Sequence, residues 1–311
     1  MAKAIREIYG EVLAKYGPTN KDIIVLDADV SSSTRSVLFQ NVCPDRFFNV
    51  GVAEANMVAM AAGFASVGKI PFINTFATFL STIGLLGARI FGSYSELNMK
   101  FMGAYGGLSD AFDGPSHHAI EDIAIMRSLP NFRVYVASDE TSTEWIVKNA
   151  IDSKGPMYVR LSRDVFPTLY SASDKFEDGK GKILRQGKDV TIIATGVMVG
   201  FALEAAKTLT SEGIETRVID MFTIKPLDKE LILDSAKTTG AVVTAEEHSI
   251  IGGLGGAVAE ALVTSDARVP VGFVGLNDTH AECGPYSELL AKYKLDAEAI
   301  MAKVRETVKK K

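Results

Sequence analysis

Between Asp113 and Asn131 the chain reads DGPSHHAIEDIAIMRSLPN, an acid, a serine and two histidines around a Gly-Pro turn, followed by an apolar repeat. Ile120, Ile123, Ala124, Met126 and Leu129 recur at helical spacing, so a helix with a buried face is expected from His118 to Ser128. Asp113, Ser116, His117 and His118 would then sit at its N-terminal end, where free N–H groups and the helix dipole favour anionic or hydrogen-bonding ligands. Spacing alone equally allows Asp113 and Ser116 to serve as helix caps. A second candidate is Glu54 in VGVAEANM, at the start of a helix that continues through Met57, Val58, Met60, Ala61 and Ala62. A carboxylate there is a candidate for burial, or simply a first-turn acid favoured by the dipole. A third is NTFATFLS, in which Phe76 and Phe79 are three residues apart and could form an aromatic shelf or plain core.

Alternating elements must position these groups. Ile23 to Leu26, Phe72 to Asn74, Lys100 to Ala104, Val134 to Val136 and Tyr158 to Leu161 read as buried strands of a parallel sheet. Helical periodicity covers Ile5 to Tyr16, Ala53 to Val67, Leu80 to Ser93 and Thr141 to Ile151. This alternation predicts a doubly wound α/β domain over residues 1–165. A polar, Gly-rich linker is expected over 166–185, then a smaller α/β domain over 186–311. The latter contains strands at Val190 to Thr195, Thr216 to Asp220, Ala241 to Ala245 and Val271 to Gly275, with helices near Gly200 to Ser211 and Gly255 to Thr264. Gly252 to Gly256 does not fit GxGxxG and reads as a packing turn.

The 311 residues carry a formal net charge of −5, which argues against nucleic acid as the main partner. Cys43 and Cys283 define neither a metal spacing nor a disulfide framework, which fits a reducing cytoplasm. No apolar run reaches the ~18 residues of a membrane span, and the N-terminal stretch lacks the apolar core of a signal peptide.

In this order, VGVAEANM, TFATF, DGPSHHAIEDIAIMRSLPN and VRLSR resemble the pyrimidine-binding half of transketolases. DVTIIATG and TAEEHSIIGGLGG resemble the transketolase C-terminal domain and that of deoxyxylulose-phosphate synthase. The resemblance covers essentially the whole chain and looks like the C-terminal subunit of a split transketolase. It implies transfer of a two-carbon ketol unit from a ketose to an aldose on thiamine diphosphate. Glu54 matches the glutamate that hydrogen-bonds the cofactor's pyrimidine ring, and Phe76 and Phe79 match the aromatics around that ring. Asp113 and His117 match the pair that holds the donor sugar's hydroxyls. Asp29 and Ser33, in DADVSSST, match positions near the thiazolium and the substrate phosphate. Arg6 and Arg163 match two arginines that grip this phosphate, and Arg6 keeps the family's distance to Ser33 without a gap.

Three positions depart from the family pattern. Tyr105 replaces a histidine that helps bind the sugar phosphate, Phe112 stands where an acid is usual, and Thr82 stands where some members have a tyrosine. The family binds diphosphate and Mg²⁺ through a Gly-Asp-Gly motif, and no such triplet occurs here. The resemblance therefore implies a partner N-terminal subunit that supplies the diphosphate and Mg²⁺ site, an α2β2 heterotetramer, sugar phosphate substrates and an inactive isolated chain. A 2-oxoacid dehydrogenase E1 β-subunit, a deoxyxylulose-phosphate-synthase-like enzyme and a non-catalytic regulatory or scaffolding subunit share this architecture and remain alternatives at this point.

Overall fold

The computed structural model describes residues 3–311, so the first two residues of the expected N-terminal domain lie outside it. Six strands come first: β1 (Ile23–Asp27), β2 (Phe47–Asn49), β3 (Ile70–Phe76), β4 (Lys100–Ala104), β5 (Arg133–Val136) and β6 (Met157–Arg160). Six more follow: β7 (Lys182–Arg185), β8 (Val190–Ala194), β9 (Thr216–Asp220), β10 (Thr223–Lys225), β11 (Val242–Ser249) and β12 (Val271–Leu276). They build two sheets, one of order β10-β5-β6-β4-β3-β1-β2 and one of order β12-β11-β8-β9-β7. All pairings are parallel except β10 with β5 and β7 with β9. β1, β4, β8 and β9 are buried along their whole length, as expected of parallel strands covered on both faces.

In the first sheet the chain leaves β1 for β2 on one side and returns to β3 on the other. Such a reversal leaves a crevice beyond the carboxyl ends of the strands, where ligands bind in open α/β sheets. Asp27 ends β1 and Phe76 ends β3 at that edge, and Tyr105 directly follows β4. The helix Glu54–Ser66 packs Met57, Val58, Ala61, Ala62 and Ala65 inward, which brings its first residue, Glu54, to the same edge. One apolar core joins the two sheets, since Ile123, Met126 and Val134 belong to the same buried cluster as Ile219, Ile224, Leu254 and Val258.

The α/β architecture agrees with the sequence reading, but several elements do not. The expected helix from His118 begins only at Asp122. Ala119 is already committed elsewhere, exchanging backbone hydrogen bonds of 3.0 Å in both directions with Gly107, so it cannot enter a helix. Asp113 to His118 therefore form a turn well ahead of a seven-residue helix, and neither Asp113 nor Ser116 caps it. The expected helix from Leu80 to Ser93 breaks into Ala77–Thr82, Leu85–Gly87 and a π-helical stretch, Ala88–Tyr94. β2 and β10 are strands of three residues, too short for periodicity to reveal. β7 lies inside the segment expected as linker and pairs with β9. Three amphipathic helices, Lys229–Thr239, Tyr286–Lys292 and Ala297–Val308, escaped the sequence reading. No helix among the described residues is long and apolar enough to cross a membrane.

A buried ionic network joins the two sheets. Arg160 Nε lies 3.0 Å from Asp122 Oδ2, while Arg160 Nη2 donates to Ala119 O at 2.7 Å and to Glu247 O at 2.8 Å. Tyr158 donates to Asp122 Oδ2 at 2.6 Å. Removing one partner of such a pair strands the other charge away from water. Arg160→Met is expected to lower the unfolding free energy by about 3–5 kcal/mol in urea melts. A loss below about 1 kcal/mol would show that the network does not hold the sheets together.

Candidate active site

The site begins where β1 ends. Asp27 is fully buried and accepts from Val30 N at 2.7 Å, Thr34 Oγ1 at 2.8 Å and Ser36 Oγ at 2.8 Å. Burial raises its pKa, and these donors oppose that rise. They also fold the chain sharply, so Asp29 adopts φ +66° and the short helix Ser31–Thr34 follows at once. Asp29 is exposed and accepts from Asn49 Nδ2 at 2.7 Å. Ser33 is half-buried, and its carbonyl accepts from Arg6 Nη1 at 2.8 Å.

The second contribution comes from β3 and the helix beside it. Glu54 is 4% exposed, and Thr75 Oγ1 donates to its Oε1 at 3.0 Å. Among the described residues no cation pairs with this carboxylate, and Thr75 is its only hydrogen-bond partner. A buried carboxylate held by one neutral hydroxyl retains unused acceptor capacity. The next residue, Phe76, ends β3, so it does not share a helical face with Phe79 as the spacing suggested. The rings still meet, with centroids 5.9 Å apart and planes tilted by 34°. His117 packs edge-on against both, at 5.9 Å from Phe76 and 5.1 Å from Phe79. Ser116 Oγ lies 3.0 Å from His117 Nδ1.

Tyr105 is the hub of the third group. It is buried, takes φ +60°, and places its ring centroid 4.7 Å from that of Phe76. A positive φ at a bulky side chain is strained and persists only where its surroundings impose it. Here the surroundings are two arginines as well as Phe76. The guanidinium carbons of Arg6 and Arg163 lie 5.1 and 5.2 Å from the ring centroid. Arg6 Nη1 also donates to the Tyr105 hydroxyl at 2.5 Å. Cation–π contact of this kind holds both arginines beside the crevice while leaving N–H groups free. Arg163 Nη1 lies 3.4 Å from Asp110 Oδ1. Asp113 is exposed on the same loop, with its carboxyl beside that of Asp110.

The structure thus joins Phe76, Phe79, His117, Tyr105, Arg6, Arg163 and Ser33 through a continuous chain of contacts, and Glu54 adjoins it through Thr75, the residue before Phe76, with Asp113 and Asp29 exposed at the margins. His118 departs from the sequence reading. It turns inward to 2% exposure, and burial lowers its pKa, which favours the neutral ring. His248 is also buried, accepting from Ala124 N at 3.3 Å with its Nδ1 2.7 Å from Ser249 O, and His280 is exposed. Two participants had no signal of their own in the sequence. Thr75 is an ordinary strand residue until Glu54 is set against it, and Asp110, in GLSDAFDGP, reads as one more loop acid.

Residues 1–168 match the transketolase pyrimidine-binding domain family, and residues 179–300 match the transketolase C-terminal domain family. A putative transketolase C-terminal section from Methanocaldococcus jannaschii is 43% identical over 310 residues, covering 99% of this chain and 97% of that protein. A 6-deoxy-6-sulfo-D-fructose transketolase subunit from a Clostridium species is 39% identical over 307 residues, with 99% and 95% covered. Among solved structures, a split gene transketolase described as an inactive β4 tetramer superposes with a TM-score of 0.90 at 47% identity, covering 99% of both chains. The chain belongs to the transketolase family and corresponds to its C-terminal section, pyrimidine-binding domain first and C-terminal domain second.

Proposed function

We propose that this chain is the C-terminal subunit of a thiamine-diphosphate-dependent transketolase, working with an N-terminal subunit that holds the diphosphate and Mg²⁺ in an α2β2 assembly. The observation that carries the reading is Glu54, a buried carboxylate without a cation among the described residues, hydrogen-bonded to Thr75, the residue that precedes Phe76 in β3, with Phe76 and Phe79 packed on each other. These residues fit an aminopyrimidine. Glu54 offers an acceptor to a ring N–H, and the two phenylalanines offer apolar surface to a flat ring. When bound, thiamine diphosphate would supply a nucleophilic carbon that carries the two-carbon ketol unit between a ketose and an aldose.

The chain's own residues perform the orienting work. Low local dielectric strengthens any hydrogen bond that Glu54 makes and holds it in one geometry. His117, fixed edge-on against both phenylalanines, and Asp113 on the same turn are placed to hold donor hydroxyls. Arg6 and Arg163 face the crevice as forks suited to a phosphate or sulfo terminus. The Clostridium relative is named for a sulfo sugar, which supports a terminus other than phosphate as an option for this section of the family. The chain has no Gly-Asp-Gly triplet, and the Mg²⁺ ligands are assigned to the partner on that ground. The inactive β4 tetramer of the split gene relative supports expecting no turnover from this chain by itself.

A coupled ketol-transfer assay with xylulose 5-phosphate and ribose 5-phosphate tests the reading. Turnover is expected only when the chain is mixed with a diphosphate-binding N-terminal transketolase subunit, thiamine diphosphate and Mg²⁺. Turnover by the chain alone would overturn the two-chain reading, and cofactor-loaded mixtures inert toward every ketose tried would overturn the activity. In the active mixture, Glu54→Ala should lower kcat by about 10²- to 10⁴-fold with an unchanged circular dichroism spectrum. Near-normal kcat would remove Glu54 from its role. Arg163→Ala should raise KM for phosphorylated sugars roughly tenfold or more while leaving KM for unphosphorylated ones nearly unaltered. Equal effects on both classes would show that Arg163 does not hold the phosphate.

A further inference from the structure

We infer that Asp110 is a positioning residue that sets how tightly the Arg6–Arg163 pocket holds an anion, by competing with that anion for Arg163. The inference rests on the reading of this pocket as the subsite for the charged end of the substrate. Asp110 has no exposed side-chain surface. Its Oδ1 lies 3.4 Å from Arg163 Nη1, and its buried Oδ2 has no donor beside it unless a proton is shared with the neighbouring Asp113 carboxyl. Leaving a carboxylate oxygen buried and unpaired is costly, and folding alone gives no return for it. The Asp110 carbonyl accepts from Asp113 N at 3.2 Å and Gly114 N at 3.3 Å, and Arg163 N donates to Ser109 Oγ at 3.3 Å.

The surrounding charges define what this carboxyl does. Arg163 and Arg6 face it with positive charge, and Asp113 faces it from its own loop. Asp164, half-buried beside the same two arginines, adds a third carboxyl. His118, the imidazole packed under this loop, is favoured neutral by burial. Two guanidinium groups therefore face Asp110 and Asp164, with Asp113 beside Asp110, before any substrate arrives. Burial first, then the charge of Asp113 and a hydrogen bond shared with its carboxyl, push Asp110 up to about 7, with Arg163 and Arg6 pulling the other way, so the proton taken up belongs to the Asp110–Asp113 pair.

The sign follows directly. Below this value Asp110 binds a proton, ceases to hold Arg163, and leaves its N–H groups to the incoming anion. Above it, ionised Asp110 retains Arg163 and repels the anion. Anion affinity should thus fall as the pH rises through about 7, and an uncharged sugar terminus should be indifferent to the change. The pocket would then discriminate anionic from neutral substrates in a pH-dependent way.

Inorganic sulfate is the suitable probe, because it keeps both charges over the whole range. Titrated calorimetrically into the full-length chain, it is expected to bind roughly tenfold more weakly at pH 8.5 than at pH 6. Asp110→Asn, which preserves shape, should bind it with the same affinity at both pH values. Histidine ordinarily changes charge across this range, so His117→Asn is the control that must keep the slope. An unchanged slope in Asp110→Asn, a slope abolished only in His117→Asn, or no sulfate binding by the wild-type chain would each overturn the inference. The same variants in the mixed assay separate the two readings. Turnover in which wild type and Asp110→Asn show the same pH dependence of KM for sugar phosphate strikes the role of Asp110 alone, since the phosphate's own ionisation is common to both. Sulfate linkage without turnover strikes the transketolase reading and leaves Asp110 standing.

Discussion

Everything at the crevice depends on Arg160 being buried between the two sheets. Its guanidinium lies against Asp122 of the helix Asp122–Ser128 and donates to the carbonyls of Ala119, just before that helix, and Glu247, in β11. Glu247, in turn, accepts from Leu108 N at 2.7 Å and Tyr286 at 3.0 Å. Desolvation raises Glu247 to about 7, and Arg160 opposes that rise. A charge network this deep is worthwhile only when every partner is in place, so it fixes the separation of β6, the loop after β4 and β11 together. Gly107 shows how close that approach is. With φ +69°, it sits where a Cβ would lie 2.2 Å from the Glu247 carboxyl carbon, so only glycine fits.

The loop from Tyr105 to Glu121 is therefore clamped by the second sheet, although its functional side chains face the first. Besides Leu108, Ile120 O accepts from Ser249 N at 2.8 Å and Ala111 O accepts from Gly284 N at 3.2 Å. This gives the C-terminal half a concrete task. It contributes none of the candidate site side chains, but it holds the backbone that carries Tyr105, Asp110, Asp113 and His117. A rigid support of this kind is what keeps a positive-φ tyrosine between its neighbours instead of letting it relax.

Much of this was legible in advance because it depends on local pattern. Buried parallel strands announce themselves as short runs of Ile, Val, Phe and Leu, and β1, β3 and β4 were found that way. The helix beginning at Glu54 was legible from its apolar register. The expected helix from His118 was not, since Ile120 belongs to the helical repeat, yet its carbonyl accepts from Ser249 and the backbone of its neighbour Ala119 is spent on Gly107. β10 was hidden for a related reason. Three residues carry no period, and its partner β5 lies almost ninety positions earlier in the chain. β7 looked like a linker because its burial is only partial on every residue.

The candidate site divides along the same line. Residue types and their order, with the family resemblance they carry, were enough to single out Glu54, Phe76, Phe79, Asp113, His117, Arg6 and Arg163. Which of these meet, and what constrains them, is a matter of long-range packing. Thr75 touches Glu54 across 21 positions, Tyr105 touches Arg6 across 99, and Asp110 meets Arg163 across 53. His117 and His118 are neighbours in sequence, yet one faces Phe76 and Phe79 while the other is buried on the far side of the turn. By itself, the sequence determined the fold class, the buried strands and the chemistry available. Only the tertiary structure decided the charge balance around Arg163 and the orientation of each histidine, because burial and ion pairing are properties of neighbours that the chain brings together from far apart.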